Sequence, residues 1–183
     1  MTNQLRVWKV LLALLVSMTS GAIILMALGD HAPSASAFCL SSYYELTPTD
    51  SVIASRASQS TDRWTRIEIF YSGTRVGDIA WLASVAGLQD PTKLNCHFVV
   101  CNGNGGNDGE IQVTDRWQIQ ESAQPAKNWY DAKTTIRICV VADGRTTHPT
   151  DTQIKRVESL VTALSRRFHI NPRSVTYPGD TVP

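Results

Sequence analysis

The sequence predicts one α/β domain, and three stretches carry that prediction. Trp64 to Ser72 alternates, with Ile67, Ile69 and Tyr71 on one face and Arg66, Glu68 and Phe70 on the other, the period-two pattern of a half-buried strand. Leu94 to Val113 reads as a β-hairpin. His97 to Cys101 is a β-branched and aromatic run, Asn102 to Gly109 sets four glycines and three asparagines in eight residues, and Glu110 to Val113 alternates again. Thr150 opens an amphipathic helix: Thr150 and Gln153 are spaced as a capping box, and Ile154, Val157, Leu160, Val161, Leu164 and Phe168 follow at helical spacing.

The chain has 183 residues, enough for one ordinary domain with a sizeable core once residues 1–37 are set aside. In those, Arg6 and Lys9 precede an uncharged run of nineteen residues, Val10 to Leu28, which would rise about 28 Å as a helix. The run is a signal peptide or a membrane anchor. Its length suits an anchor, whereas Ala35-Ser36-Ala37 before Phe38 has the small-x-small pattern of a cleavage site. Both readings place the domain on the exported side of the membrane, the periplasm or cell envelope, because basic residues hold the N-terminus inside.

Residues 38–63 are rich in Ser and Thr and read as a tether with a first turn or short helix around Asp50 to Ala57. The domain proper is expected over residues 64–183. After the first strand, Gly73 to Gly77 turns the chain, and Asp78 caps a short helix that Gly87 ends. The hairpin tip is more simply a turn than a calcium or anion site, since Gly, Asn and Asp tolerate the positive φ of tight turns, and it is not a phosphate loop, because neither a Gly-Lys-Ser/Thr motif nor a helical pattern follows it. Trp117 to Tyr130 is polar and without periodicity, as expected of a functional rim or of a poorly ordered segment. Thr135 to Ala142 is an apolar strand suited to the interior of a sheet, and Lys155, Arg156, Glu158, Arg166 and Arg167 fall on the solvated face of the last helix.

Removing residues 1–37 leaves 15 basic and 15 acidic residues, so the domain has no electrostatic reason to seek nucleic acid, and what it binds should be insensitive to salt. Cys39, Cys96, Cys101 and Cys139 follow the apolar run in a context where disulfides persist. On one strand Cys96 and Cys101 would lie roughly 16 Å apart on opposite faces. That leaves Cys39 with Cys96 or with Cys101, Cys139 taking the other.

Several stretches, in order, carry a family resemblance: Ile67-Glu68-Ile69-Phe70-Tyr71-Ser72-Gly73-Thr74, similar to I-V-I-H-H-S-A-T; Cys96-His97-Phe98-Val99-Val100, similar to Y-H-F-V-I; Asp108-Gly109-Glu110-Ile111 with Arg116-Trp117; Ile136 to Val141, similar to I-G-I-C-L-V; and Pro149-Thr150 with Gln153. From about Trp64 onward the chain resembles the zinc-dependent N-acetylmuramoyl-L-alanine amidases and the related peptidoglycan recognition proteins. The resemblance implies a mixed β-sheet flanked by helices, with a cleft over one face, and a zinc ion that activates water against the lactyl-alanine amide.

The positions that would hold that chemistry differ. Phe70 stands where the first zinc-binding His is expected and Tyr71 where a second is common. Cys96 stands at the catalytic Tyr, and Ser122-Ala123-Gln124 replaces a Gly-Ala-His. The closing segment aligns with either Pro178 or Tyr177 at a ligand position. The resemblance therefore implies a catalytically degenerate domain without zinc. Phe70, Tyr71, Cys96, His97 and Gln124 would line the cleft, with Trp117 or Trp129 at its edge, and peptidoglycan or a muropeptide would be the partner. The alternatives are an active amidase with ligands such as His97, His148 and Asp143, or an interaction module whose cleft has closed. The membrane is a further partner through residues 10–28 if they are not removed.

Overall fold

The computed structural model describes residues 8–20, 46–124 and 132–179, and the chain divides into two units, Met1–Cys39 and Leu40–Pro183. In the first unit residues 8–20 are helical, with apolar side chains such as Leu11, Leu12 and Leu15 exposed. Residues 21–28 of the apolar run lie outside the described residues. Among the described residues, no helix is long and apolar enough to cross a membrane.

The second unit is a five-stranded mixed sheet flanked by helices. In chain order its main elements are α1 (Thr49–Val52), β1 (Arg66–Tyr71), α2 (Ile79–Val85), β2 (Phe98–Val100), β3 (Ile111–Val113), α3 (Asp115–Gln118), β4 (Thr135–Val140), α4 (Asp151–Phe168) and β5 (Val175–Thr176). The strand order is β3-β2-β4-β1-β5. β4 runs parallel to both β1 and β2, with Ile67 beside Ile136 and Val99 beside Cys139, whereas β2 and β3 form the antiparallel hairpin. Its six residues are all buried, as the apolar run Thr135 to Ala142 requires of an interior strand.

Alternation divides the strands between two environments. Ile67, Ile69, Phe98, Val100, Ile136, Ile138 and Val140 face α4 and form the main core with Val157, Leu160, Val161, Leu164 and Phe168. Fully burying Leu160 and Leu164 contributes about 2 kcal/mol each. Val99, Cys139 and Val141 face the other way and pack with Leu82, Cys96 and Cys101.

The start of α4 is set by its capping box. Thr150 Oγ1 accepts from the Gln153 amide at 3.0 Å, and Gln153 Oε1 accepts from the Thr150 amide at 3.0 Å. The buried Gln153 amide group also donates to the carbonyls of Val100 at 2.9 Å and Val141 at 3.2 Å, pinning the helix to the ends of β2 and β4. Where the hairpin passes this helix the chain needs glycine: Gly109 has φ +77°, and a Cβ there would meet Thr152 Cγ2 at 2.6 Å.

Several expectations are corrected. Leu46, in the segment expected to be a tether, is buried, as are Val52 and Ile53 of the expected first turn or short helix, and the amide of Ala57 donates to the Gln118 carbonyl. Arg156, assigned to the solvated face of α4, is 3% exposed and donates to the carbonyls of Gly109 and Thr47. Ile154, assigned to the core, is 46% exposed. Cys96, Cys101 and Cys139 are buried free thiols, and Cys39 lies outside the described residues. Cys96 and Cys101 share one cluster instead of opposite faces, because the alternation that joins Val99 to Cys101 is broken before Phe98, where Cys96 turns to the same side.

Candidate functional site

On the face of the sheet away from α4, a cleft of about 460 Å³ opens over β1 and β4. Its floor consists of Phe70, Arg137 and Cys139. One wall is α2 with Leu82, Val85 and Ala86, and the other is Lys93 to Cys96 with Gln124. Helix α2 is placed by its N-cap, since Asp78 Oδ1 accepts from the Trp81 amide at 2.7 Å, and by the Ile79 amide, which donates to Gln112 on β3 at 3.0 Å.

The opposite wall is fixed residue by residue. The Leu94 carbonyl accepts from Arg116 Nε at 3.3 Å, the Asn95 carbonyl from Arg137 Nη1 at 2.7 Å, and the Cys96 carbonyl from Thr114 Oγ1 at 2.8 Å. Asn95 also forms a reciprocal pair with the backbone of Gln124, at 3.0 and 2.7 Å. A wall held by this many directed bonds keeps its shape without a ligand.

Arg137 is the charged centre of the floor. Its Nε lies 3.2 Å from Glu68, and its guanidinium sits 4.3 Å from the centroid of the Phe70 ring. Burial pushes the Glu68 carboxyl up from its ordinary range, while the Arg137 charge and hydrogen bond pull it down. Cys139 and Cys101 stay protonated. A hydrogen bond with Cys96, followed by burial, raises Cys139, and burial foremost pushes Cys101 to about 12, so neither is a thiolate near neutral pH.

Of the residues expected in the cleft, the structure brings together Phe70, Cys96 and Gln124 and separates Tyr71, His97 and Trp117 from them. Tyr71 is on the opposite face of β1, as alternation dictates, and lines a groove of about 110 Å³ with Ile154, Tyr177 and Pro178. His97 is buried within the core: its Nε2 donates to the Glu121 carbonyl at 3.0 Å, and its Nδ1 accepts from the Arg137 amide at 2.9 Å. Burial lowers its pKa from 6.5 to about 3, and its ring meets Trp64 and Trp117 edge-on at 5.0 and 6.0 Å.

Trp117 is the centre of this aromatic cluster, with no exposure, and its indole N–H donates to the Ile53 carbonyl at 3.2 Å. It is a core residue and not a cleft edge. Trp129 lies outside the described residues. Arg137 and Lys93, the two cations of the lining, were not expected there. Arg137 had a visible signal, a lone charge inside an apolar strand.

The residues weighed as substitute metal ligands do not assemble. His97 is in the core, and His148 is exposed. Asp143 accepts from the Thr146 hydroxyl and from the amides of Thr147, Arg145 and Thr146, which hold its carboxyl below the usual range. Among the described residues, no three His, Cys, Asp or Glu side chains are grouped so as to share a metal ion. Among the described residues, the cleft therefore offers an aromatic ring, two cations, amide groups, the hydroxyls of Ser72 and Thr74 and the thiols of Cys96 and Cys139.

The class that these features define is an α/β domain with a preformed cleft on the open face of a mixed sheet. No protein-family model matches the chain, and no curated protein matches it. Among solved structures it is similar to the N-acetylmuramyl-L-alanine amidase AmiD of E. coli, in complex with anhydro-N-acetylmuramic acid-L-Ala-D-γ-Glu-L-Lys. The identity is 20%, over 68% of this chain and 51% of that one, with a TM-score of 0.45. The chain thus spans about half the length of that amidase.

Proposed function

We propose that the chain is a catalytically degenerate relative of the N-acetylmuramoyl-L-alanine amidases, one that binds peptidoglycan fragments in the cleft without cutting them. The observation that carries this reading is the composition of the cleft. Phe70, Cys96 and Gln124, which resemble the family's first zinc ligand, its catalytic Tyr and its rim His, line one open cavity. Its volume falls in the range of small-ligand sites, about 300–1,000 Å³, which favours a binding cleft over one closed by apolar packing.

The residues at these positions do not fit zinc. Phe70 has no donor atom, Tyr71 faces the other side of the sheet, and Tyr177 and Pro178 line the groove there. A zinc site needs three protein ligands around one point, and these positions do not converge. On the same reading the domain works outside the cytoplasm, behind the signal peptide or anchor of residues 10–28.

Elemental analysis and a muropeptide digest of the purified full-length chain test the proposal together. The expected result is no stoichiometric zinc, no released stem peptide, and saturable binding of the intact fragment. About one zinc per chain with hydrolysis would restore the active-enzyme reading. Absence of binding at millimolar fragment would leave an interaction module.

A further inference from the structure

We infer that Cys96 and Cys139 form a two-coordinate site for a soft monovalent cation of the copper(I) class, reached through the cleft. The inference goes beyond the proposed function and does not depend on it. Cys139 lies on β4 beside Val99 of β2, and Cys96 directly precedes that strand. Both residues line the cleft, and their thiols are in hydrogen-bond contact.

The donor set selects the ion. Among the described residues, the cleft lining holds no His, Met, Asp or Glu, so the two cysteines are its soft donors. Zinc is held by at least three protein ligands, and calcium and magnesium by shells of oxygen, so two sulfurs serve none of them. Thiolates favour copper(I), for which two ligands in line complete a shell. Leu82, Val99 and Val141 pack with the pair and keep water from competing for the ion.

Binding breaks two S–H bonds, forms two S–Cu bonds and releases two protons, leaving a complex of net charge −1. Arg137, also in the lining, favours that charge as it favours the Cys139 thiolate. A disulfide is the competing chemistry. It needs sulfurs about 2.05 Å apart and Cα atoms within about 7 Å. Cys139 pairs with Val99 and not with Cys96, and the thiols touch without joining. Two metal–sulfur bonds of roughly 2.3 Å each span such an offset more readily than one S–S bond.

Anaerobic titration of the full-length chain in detergent with Cu(I), against bicinchoninate as competing chelator, tests the site. One ion per chain should bind, with an affinity that rises about 100-fold from pH 6 to pH 7 as two protons leave. Cys96→Ser and Cys139→Ser should each weaken binding by at least about 100-fold, more than the loss of a supporting residue costs. Cys101→Ser and Cys39→Ser should leave it unchanged. X-ray absorption of the loaded wild-type chain, which depends on no variant folding, should show two sulfur neighbours around copper and neither nitrogen nor oxygen.

Failure to compete with the chelator, an affinity independent of pH, or three sulfur neighbours would each overturn the inference. So would equal loss in Cys101→Ser, stoichiometric zinc held by the same two cysteines, or a Cys96 to Cys139 disulfide in the chain as purified.

Discussion

The two faces of the central sheet put similar residue types to opposite uses. On the face toward α4, Trp64, His97, Phe98, Trp117 and Phe168 meet ring against ring, and nothing in that cluster is more than 3% exposed. On the other face, Phe70, the one ring among the described residues of the cleft lining, lies half-buried under a guanidinium at the floor. Covering by an eighteen-residue helix makes the first face a stability element, and the seven-residue α2 leaves room on the second for a ligand. An aromatic or a histidine in this chain therefore has a role set by its face and not by its type.

The sharpest way to break that distinction is Trp117→Ala. If Trp117 belongs to the packed face, its loss should destabilise the domain by about 3–5 kcal/mol, read as a shift in urea midpoint. An edge residue of the cleft would instead weaken ligand binding with little change in the midpoint.

The second test is acid sensitivity. Folded His97 titrates at about 3 and the unfolded residue near 6.5, so between these values the unfolded chain binds a proton that the folded chain does not. The His97 contribution is complete above pH 6.5 and is lost as pH falls toward 3, by about 1.4 kcal/mol per unit. Unfolding free energies from urea titrations at pH 7 and pH 5 should thus differ by about 2 kcal/mol, with a matching shift of the midpoint. Equal midpoints would place His97 in a solvated setting at the cleft.

Much of the fold was legible in local patterns. The capping box at Thr150, the N-cap at Asp78, the hairpin and the burial of Thr135 to Val140 all depend on neighbours in sequence. The alternation of β1 also told that Phe70 and Tyr71 part company, although the family positions suggested a shared cleft.

What was not legible depends on contacts across long sequence separations. Strict alternation would put Cys96 with Phe98 and Val100, yet Cys96 turns to the cleft, and His97 folds into the core to accept from the Arg137 amide. Arg156 reads as a surface residue of its helix until the hairpin carbonyl of Gly109 comes over it. Trp117 sits in a stretch with no period, and the packing of Trp64, Phe98 and Phe168 around it makes it core.

The most direct measurement is titration of the full-length chain with a soluble muropeptide, compared between Phe70→Ala and Tyr71→Ala. The two residues are adjacent in sequence and lie on opposite faces of β1. If the cleft over Phe70 is the binding site, Phe70→Ala should weaken binding by about 1–2 kcal/mol and Tyr71→Ala should leave it unchanged. Loss of binding in Tyr71→Ala with Phe70→Ala unaffected would move the site to the groove beside Tyr177 and contradict the account.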